Sequence, residues 1–176
     1  MRYTMKSGVL LQEPSHTALA GIKSVLTGSV KRIQKCADEW LLEAGIRYLD
    51  ERNVHSGDVR NKEYVLTDHR GSVVASAFPG YARGEEPDVA GWPIHRMPKV
   101  DHAKVTIAGA EYMLTMCSGQ KYTVKDAGGA EILRILHKGI AGGWNVEDDH
   151  GFAPEILCGI FVFSRYIEHE NEFMII

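Results

Sequence analysis

At 176 residues the chain can bury a sizeable core and is expected to form one domain over 1–176. Its 44% hydrophobic and 24% charged residues are those of an ordinary globular protein. A net charge of −3 gives no global attraction to nucleic acid, so no nucleic-acid partner is expected.

The N-terminal stretch MRYTMKSGVLLQEPSH holds no sustained apolar run of the kind a secretory signal needs, and no later segment is long enough to span a bilayer. Cys36, Cys117 and Cys158 lie far apart and form no CxxC pair, which argues against a zinc site or a disulfide framework and for a reducing compartment. The expected location is cytoplasmic. The first strand candidates are Tyr3 to Leu11, Lys23 to Ile33 and Glu39 to Tyr48. Charge is uneven across them. Residues 21–35 carry Lys23, Lys31, Arg32 and Lys35 with no acid, whereas residues 37–51 carry Asp38, Glu39, Glu43, Asp50 and Glu51 against Arg47. Two readings stand side by side: solvated strand faces, or a small patch for an anion or lipid headgroup, with Lys31, Arg32 and Lys35 as its contact residues. His55-Ser56-Gly57-Asp58 contains the residue types of a Ser/His/Asp set, but no GxSxG elbow accompanies it.

Tyr64 to Ala77 is the clearest hairpin. Tyr64-Val65-Leu66-Thr67 and Ser72-Val73-Val74-Ala75 flank Asp68-His69-Arg70-Gly71. Asp bonds nearby backbone N–H groups and Gly accepts positive φ, which together suit a tight turn. Phe78 to Lys99 reads as a long Gly/Pro-rich surface loop, with Trp92 placed to pin it. Asp101-His102 then reads as a turn before a hairpin of Lys104 to Ile107 and Ala110 to Met116 about Ala108-Gly109. The earlier pattern returns at Tyr122, Asp126 and Gly129, each 58 positions after Tyr64, Asp68 and Gly71. It is either an internal repeat or the same turn chemistry used twice. HKGIAGGW matches no phosphate loop and reads as a flexible turn before a strand at Trp144 to Asp148. Asp148-Asp149-His150 is the densest set of metal-ligand types. Neighbours on a strand point to opposite faces, so a loop and helix-entry role is expected instead.

The last helix carries most of the fold information. Pro154 to His169 reads PEILCGIFVFSRYIEH, and Ile156 to Phe163 has no polar side chain. At 3.6 residues per turn those eight residues cover every face, so the segment must be surrounded, yet it is far short of the ~20 residues of a membrane span. Pro154 suits the first turn and Glu155 the positive end of the dipole. Burying its six large apolar side chains contributes on the order of 10 kcal/mol before opposing terms, at ~1.5–3 kcal/mol each. The final Phe173-Met174-Ile175-Ile176 is expected to return as a strand closing the sheet. The expected fold class is mainly β (α+β): an antiparallel barrel of hairpins wrapped around a buried hydrophobic C-terminal helix. A helix lying on one side of an open sheet is the alternative, and it would need the polar helical face that residues 156–163 lack.

The paired Tyr-x-x-x-Asp-x-x-Gly hairpins at 64–71 and 122–129, and the apolar helix at 154–167 with a strand after it, resemble the tubby C-terminal-like fold. That fold is shared by tubby proteins, phospholipid scramblases and the LURP-one-related family, and the hairpin-then-helix order looks most like the bacterial LURP-one-related proteins. The resemblance covers about half the chain, and residues 1–60 fit only as generic strands. Many bacterial members have no established activity; the absence of any catalytic motif in this chain favours a non-enzymatic domain, and no cofactor is expected. Tubby domains bind phosphoinositides through basic residues near the barrel wall, so anionic lipid headgroups are the implied partner. No individual basic residue carries over by alignment. The chain lacks the cysteine- and proline-rich region that precedes the scramblase domain, so scrambling is not implied. Two other classes remain open. One is a structural or protein-interaction scaffold, monomeric or dimeric. The other is a small-molecule binder or hydrolase with His95, Asp101 and His102 beneath the 78–99 loop.

Overall fold

The computed structural model describes residues 1–25, 28–36, 39–86 and 99–172, with the backbone alone for Cys36, His55 and Ser56. Twelve strands run in sequence order: β1 (Arg2–Lys6), β2 (Val9–Gln12), β3 (Thr17–Ser24), β4 (Lys31–Cys36), β5 (Glu39–Tyr48), β6 (Lys62–Thr67), β7 (Val73–Tyr81), β8 (Val100–Ile107), β9 (Ala110–Ser118), β10 (Lys121–Asp126), β11 (Glu131–His137) and β12 (Trp144–Asp148). Each pairs antiparallel with the next, and β1 pairs with β12, from Arg2 opposite Glu147 to Met5 opposite Trp144. The sheet is thus a closed barrel, so these strands leave no open edge. One long helix, α1 (Pro154–Glu170), follows the last strand among the described residues.

Side chains alternate in and out along each strand, as a pleat requires. Tyr3 and Met5, Tyr64 and Leu66, Val105 and Ile107, and Leu133 and Ile135 all point inward and are buried. Several inward positions are only alanine: Ala20, Ala44, Ala75, Ala77 and Ala103 are all almost fully buried. Small residues on the inner wall leave the width that a helix needs. The helix takes it, packing against β3, β4 and β5 on one side and β8 and β9 on the other. No residue from Pro154 to Glu168 is exposed. Gly159 is the point of closest approach, since a Cβ there would lie 2.6 Å from a Leu66 methyl of β6. The barrel therefore wraps the helix, and the open-sheet alternative does not apply.

Both helix ends are tied to the wall. The Asp148 carboxylate, only 1% exposed, accepts from the backbone N–H groups of His150 (3.0 Å), Gly151 (3.1 Å) and Phe152 (2.8 Å) and so shapes the turn into α1. At the other end the Asn171 side chain pairs with β8 as another strand would. Its Oδ1 accepts from Val100 N–H at 2.8 Å, and its Nδ2 donates to Val100 O at 2.7 Å and Ile167 O at 2.9 Å.

Several sequence expectations need correction. Tyr3 to Leu11 is not one strand but the β1–β2 hairpin, because Ser7 (φ 51°) and Gly8 (φ 76°) both take the left-handed conformation of a two-residue turn. Lys23 to Ile33 likewise divides into the end of β3 and the start of β4. The loop expected from Phe78 starts later, since Phe78 to Tyr81 continue β7 and pair with Lys104 to Val100. Asp101-His102 therefore lies within a strand rather than a turn. Glu39 to Tyr48, the hairpins of 64–77 and 122–133 and the strand at Trp144 to Asp148 are where the sequence places them. Most of the 78–99 loop, with Trp92 and His95, and the terminal segment 173–176 lie outside the described residues.

Candidate functional site

The two matching hairpins have matching geometry. In each, the Asp N–H donates to the carbonyl four residues on, the Gly N–H donates back to the Asp carbonyl, and the Asp side chain accepts from the backbone four residues on. Gly71 (φ 77°) and Gly129 (φ 84°) supply the left-handed position. The two tyrosines of the pattern are fully buried and meet the same end of α1. Tyr122 donates to Glu168 at 2.6 Å, and Tyr64 donates to Glu170 at 3.3 Å. Burial, reinforced by the neighbouring carboxylates, pushes both phenols above their ordinary pKa and keeps them as donors. Lys62, inward-facing on the same alternation as Tyr64 and Leu66, reaches Glu170 with contacts of 2.7 and 2.9 Å. Arg165 pairs with Glu168 and lies 5.5 Å from the Trp144 ring centre.

Of these groups Lys62, Arg165 and Glu170 line a cavity of about 480 Å³ at the barrel mouth, between α1 and the wall formed by β3, β4, β5 and the start of β6. Its inner surface is apolar: Ile22, Ile46, Phe161 and Val162. The first three are only partly buried although they face inward, because the cavity admits solvent to them. Its rim carries Lys31, Lys62, Arg165, His169 and Glu170. Lys62 is matched by Glu170 and Arg165 by Glu168, and the His169 ring contacts Glu172. Lys31 differs. Among the described residues its hydrogen-bond partner is the neutral Ser24 hydroxyl, at 2.7 Å. The mouth of a barrel with an apolar interior and a few convergent polar groups is a usual place for a ligand.

The structure separates the basic residues singled out by sequence. Lys31 shares the inward face with Ile33, sits opposite Ala44 and lines the cavity. Arg32 points outward, bonds Glu43 at 3.0 Å and lies 4.8 Å from the Trp40 ring centre. Trp40 in turn meets the His69 ring at 4.1 Å. Lys35 is exposed and lies within the second of two register irregularities in the β4–β5 pairing. The cavity residues that sequence reading passed over are Lys62, Arg165 and His169. Lys62 carried a signal, because it continues the inward alternation of Tyr64 and Leu66.

The other chemical candidates are placed as follows. Asp148 is a backbone acceptor at the helix entry, and His150 lies 3.3 Å from the Tyr112 hydroxyl. Asp101 and His102 contact each other at 2.7 Å, with the His102 ring against Gly80. Asp58 accepts from Tyr81 at 3.1 Å and from Arg60 N–H at 2.9 Å. Among the described residues no three His, Cys, Asp or Glu side chains are placed to share a metal ion. No helix among them is long and apolar enough to cross a membrane. Burial pushes the Cys158 thiol up to about 12, which makes it a core residue rather than a nucleophile. Compared with protein families, characterised proteins and solved structures, the chain matches none.

Proposed function

We propose that this chain is a non-enzymatic binding module of the tubby C-terminal-like kind, and that it takes an anionic lipid headgroup at its barrel mouth. The observation that carries the reading is Lys31, an inward-facing cation at the rim of an apolar-lined cavity with a neutral hydroxyl as its partner. A cation held that way can exchange Ser24 for a phosphate or carboxylate oxygen without breaking an ion pair. The barrel around one hydrophobic helix is also the arrangement that the resemblance implies, which supports the family assignment and with it a cytoplasmic, membrane-facing role. Arg32 and Lys35 stay in the proposal only as minor contacts beside Lys31, Arg32 being on the outer face and already paired with Glu43.

The test is sedimentation with neutral, anionic and phosphoinositide-containing vesicles at low and physiological salt. Binding is expected to require anionic lipid and to weaken as salt rises. Absence of binding under every condition would leave a protein-interaction scaffold as the better reading.

A further inference from the structure

The mouth cavity changes character along its length. On the helix stripe that faces it, Phe161 and Val162 come first, Arg165 follows one turn later and the charged end of α1 one turn after that. Those two turns span about 12 Å. Ile22 and Ile46 continue the apolar surface on the strand wall, and Lys31 lines the same cavity from β4. Apolar side chains left open to solvent inside a barrel, under a cationic rim, match a ligand with an anionic head and an apolar body. One wall is a single stripe of a single helix, which suits one hydrocarbon chain rather than two.

We infer that the site binds a single-chain anionic amphiphile of the fatty-carboxylate type, with its head at Lys31 and its chain between α1 and strands β3 to β5. This rests on the headgroup reading above and adds that the chain enters the barrel. The cavity's ~480 Å³ falls within the range of small-molecule sites. The rim acid does not oppose an anion, because Glu170 is already held by Lys62 and Tyr64.

The test is titration of the whole protein with a series of saturated carboxylates from hexanoate to laurate, each below its micelle concentration. Affinity is expected to rise about fourfold per added methylene and then to level off when the cavity is full. Methyl NOEs should run from the tail of bound decanoate to Ile22 and Ile46 in the unmodified protein. Lys31→Ala should weaken binding about tenfold, and Ile46→Phe by more than tenfold while vesicle sedimentation persists. Affinity independent of chain length, or NOEs to other residues, would overturn the inference whether or not the variants fold. Vesicle binding that needs Lys31, without decanoate binding, would overturn it and leave the headgroup reading standing. Loss of both would remove both.

Discussion

Lys31 and Arg32 are adjacent in sequence and opposite in space. The one-residue step of a strand sends Lys31 into the barrel mouth and Arg32 onto the outer wall beside Glu43 and Trp40. Sequence grouped them by charge; alternation alone puts them on opposite faces but leaves open which of the two points inward. Asp148 is the contrasting case. The sequence assigned it to the loop and helix entry rather than to a metal, and there its carboxylate accepts from three backbone N–H groups. Asp148→Ala should therefore destabilise the protein by about 2–4 kcal/mol, read from the urea midpoint. The buried tyrosines give a pH signature. Burial, with smaller contributions from Glu170, Glu168 and Glu43, raises the phenols of Tyr64, Tyr122 and Tyr166 above 10, their value in the unfolded chain. Below about pH 10 the folded and unfolded chains hold the same phenol protons, and above it only the folded chain keeps them. Stability should fall as pH rises above about 10, and Tyr122→Phe should flatten that fall in denaturant titrations at successive pH values.

At the scale of elements, strands with strong alternation and turns with Asp and Gly at fixed positions were legible, as Tyr64 to Ala77 and Tyr122 to Leu133 show. The β1–β2 hairpin was not, because Ser7-Gly8 is a short polar break inside a continuous apolar pattern. The start of β8 was hidden for a different reason. Asp101-His102 looks like turn chemistry, but His102 pairs with Gly80 and Val100 with Tyr81, which leaves Asp101 at a register irregularity inside the strand. The helix was the most legible element, since a segment apolar on every face has few places to go. Its enclosure has a kinetic consequence: α1 cannot leave without exposing its whole apolar surface. Amides from Ile156 to Phe163 should exchange only through global unfolding, with protection matching the free energy from urea titration. Rapid exchange there under native conditions would mean that the helix leaves the barrel.

At the scale of the whole molecule, closure creates the site. The cavity is bounded by strands β3 to β5, the start of β6 and the C-terminal half of α1, and the helix, distant from those strands in sequence, meets them because β1 pairs with β12 and the helix threads the interior. No local pattern encodes that meeting, so Arg165 and His169 went unrecognised while the barrel itself was expected; Lys62 alone carried a local signal, the inward alternation it shares with Tyr64 and Leu66. The same closure gives the charge at the mouth its meaning. The chain carries −3 overall, so attraction to an anionic surface must come from one place rather than from the whole. The measurement that tests this most directly is sedimentation with anionic vesicles at low salt for Lys31→Ala and Arg32→Ala, each compared with the unmodified protein. A barrel-mouth site predicts that Lys31→Ala reduces the bound fraction several-fold and Arg32→Ala leaves it nearly unchanged. Loss confined to Arg32→Ala would move the contact to the outer wall and contradict the account.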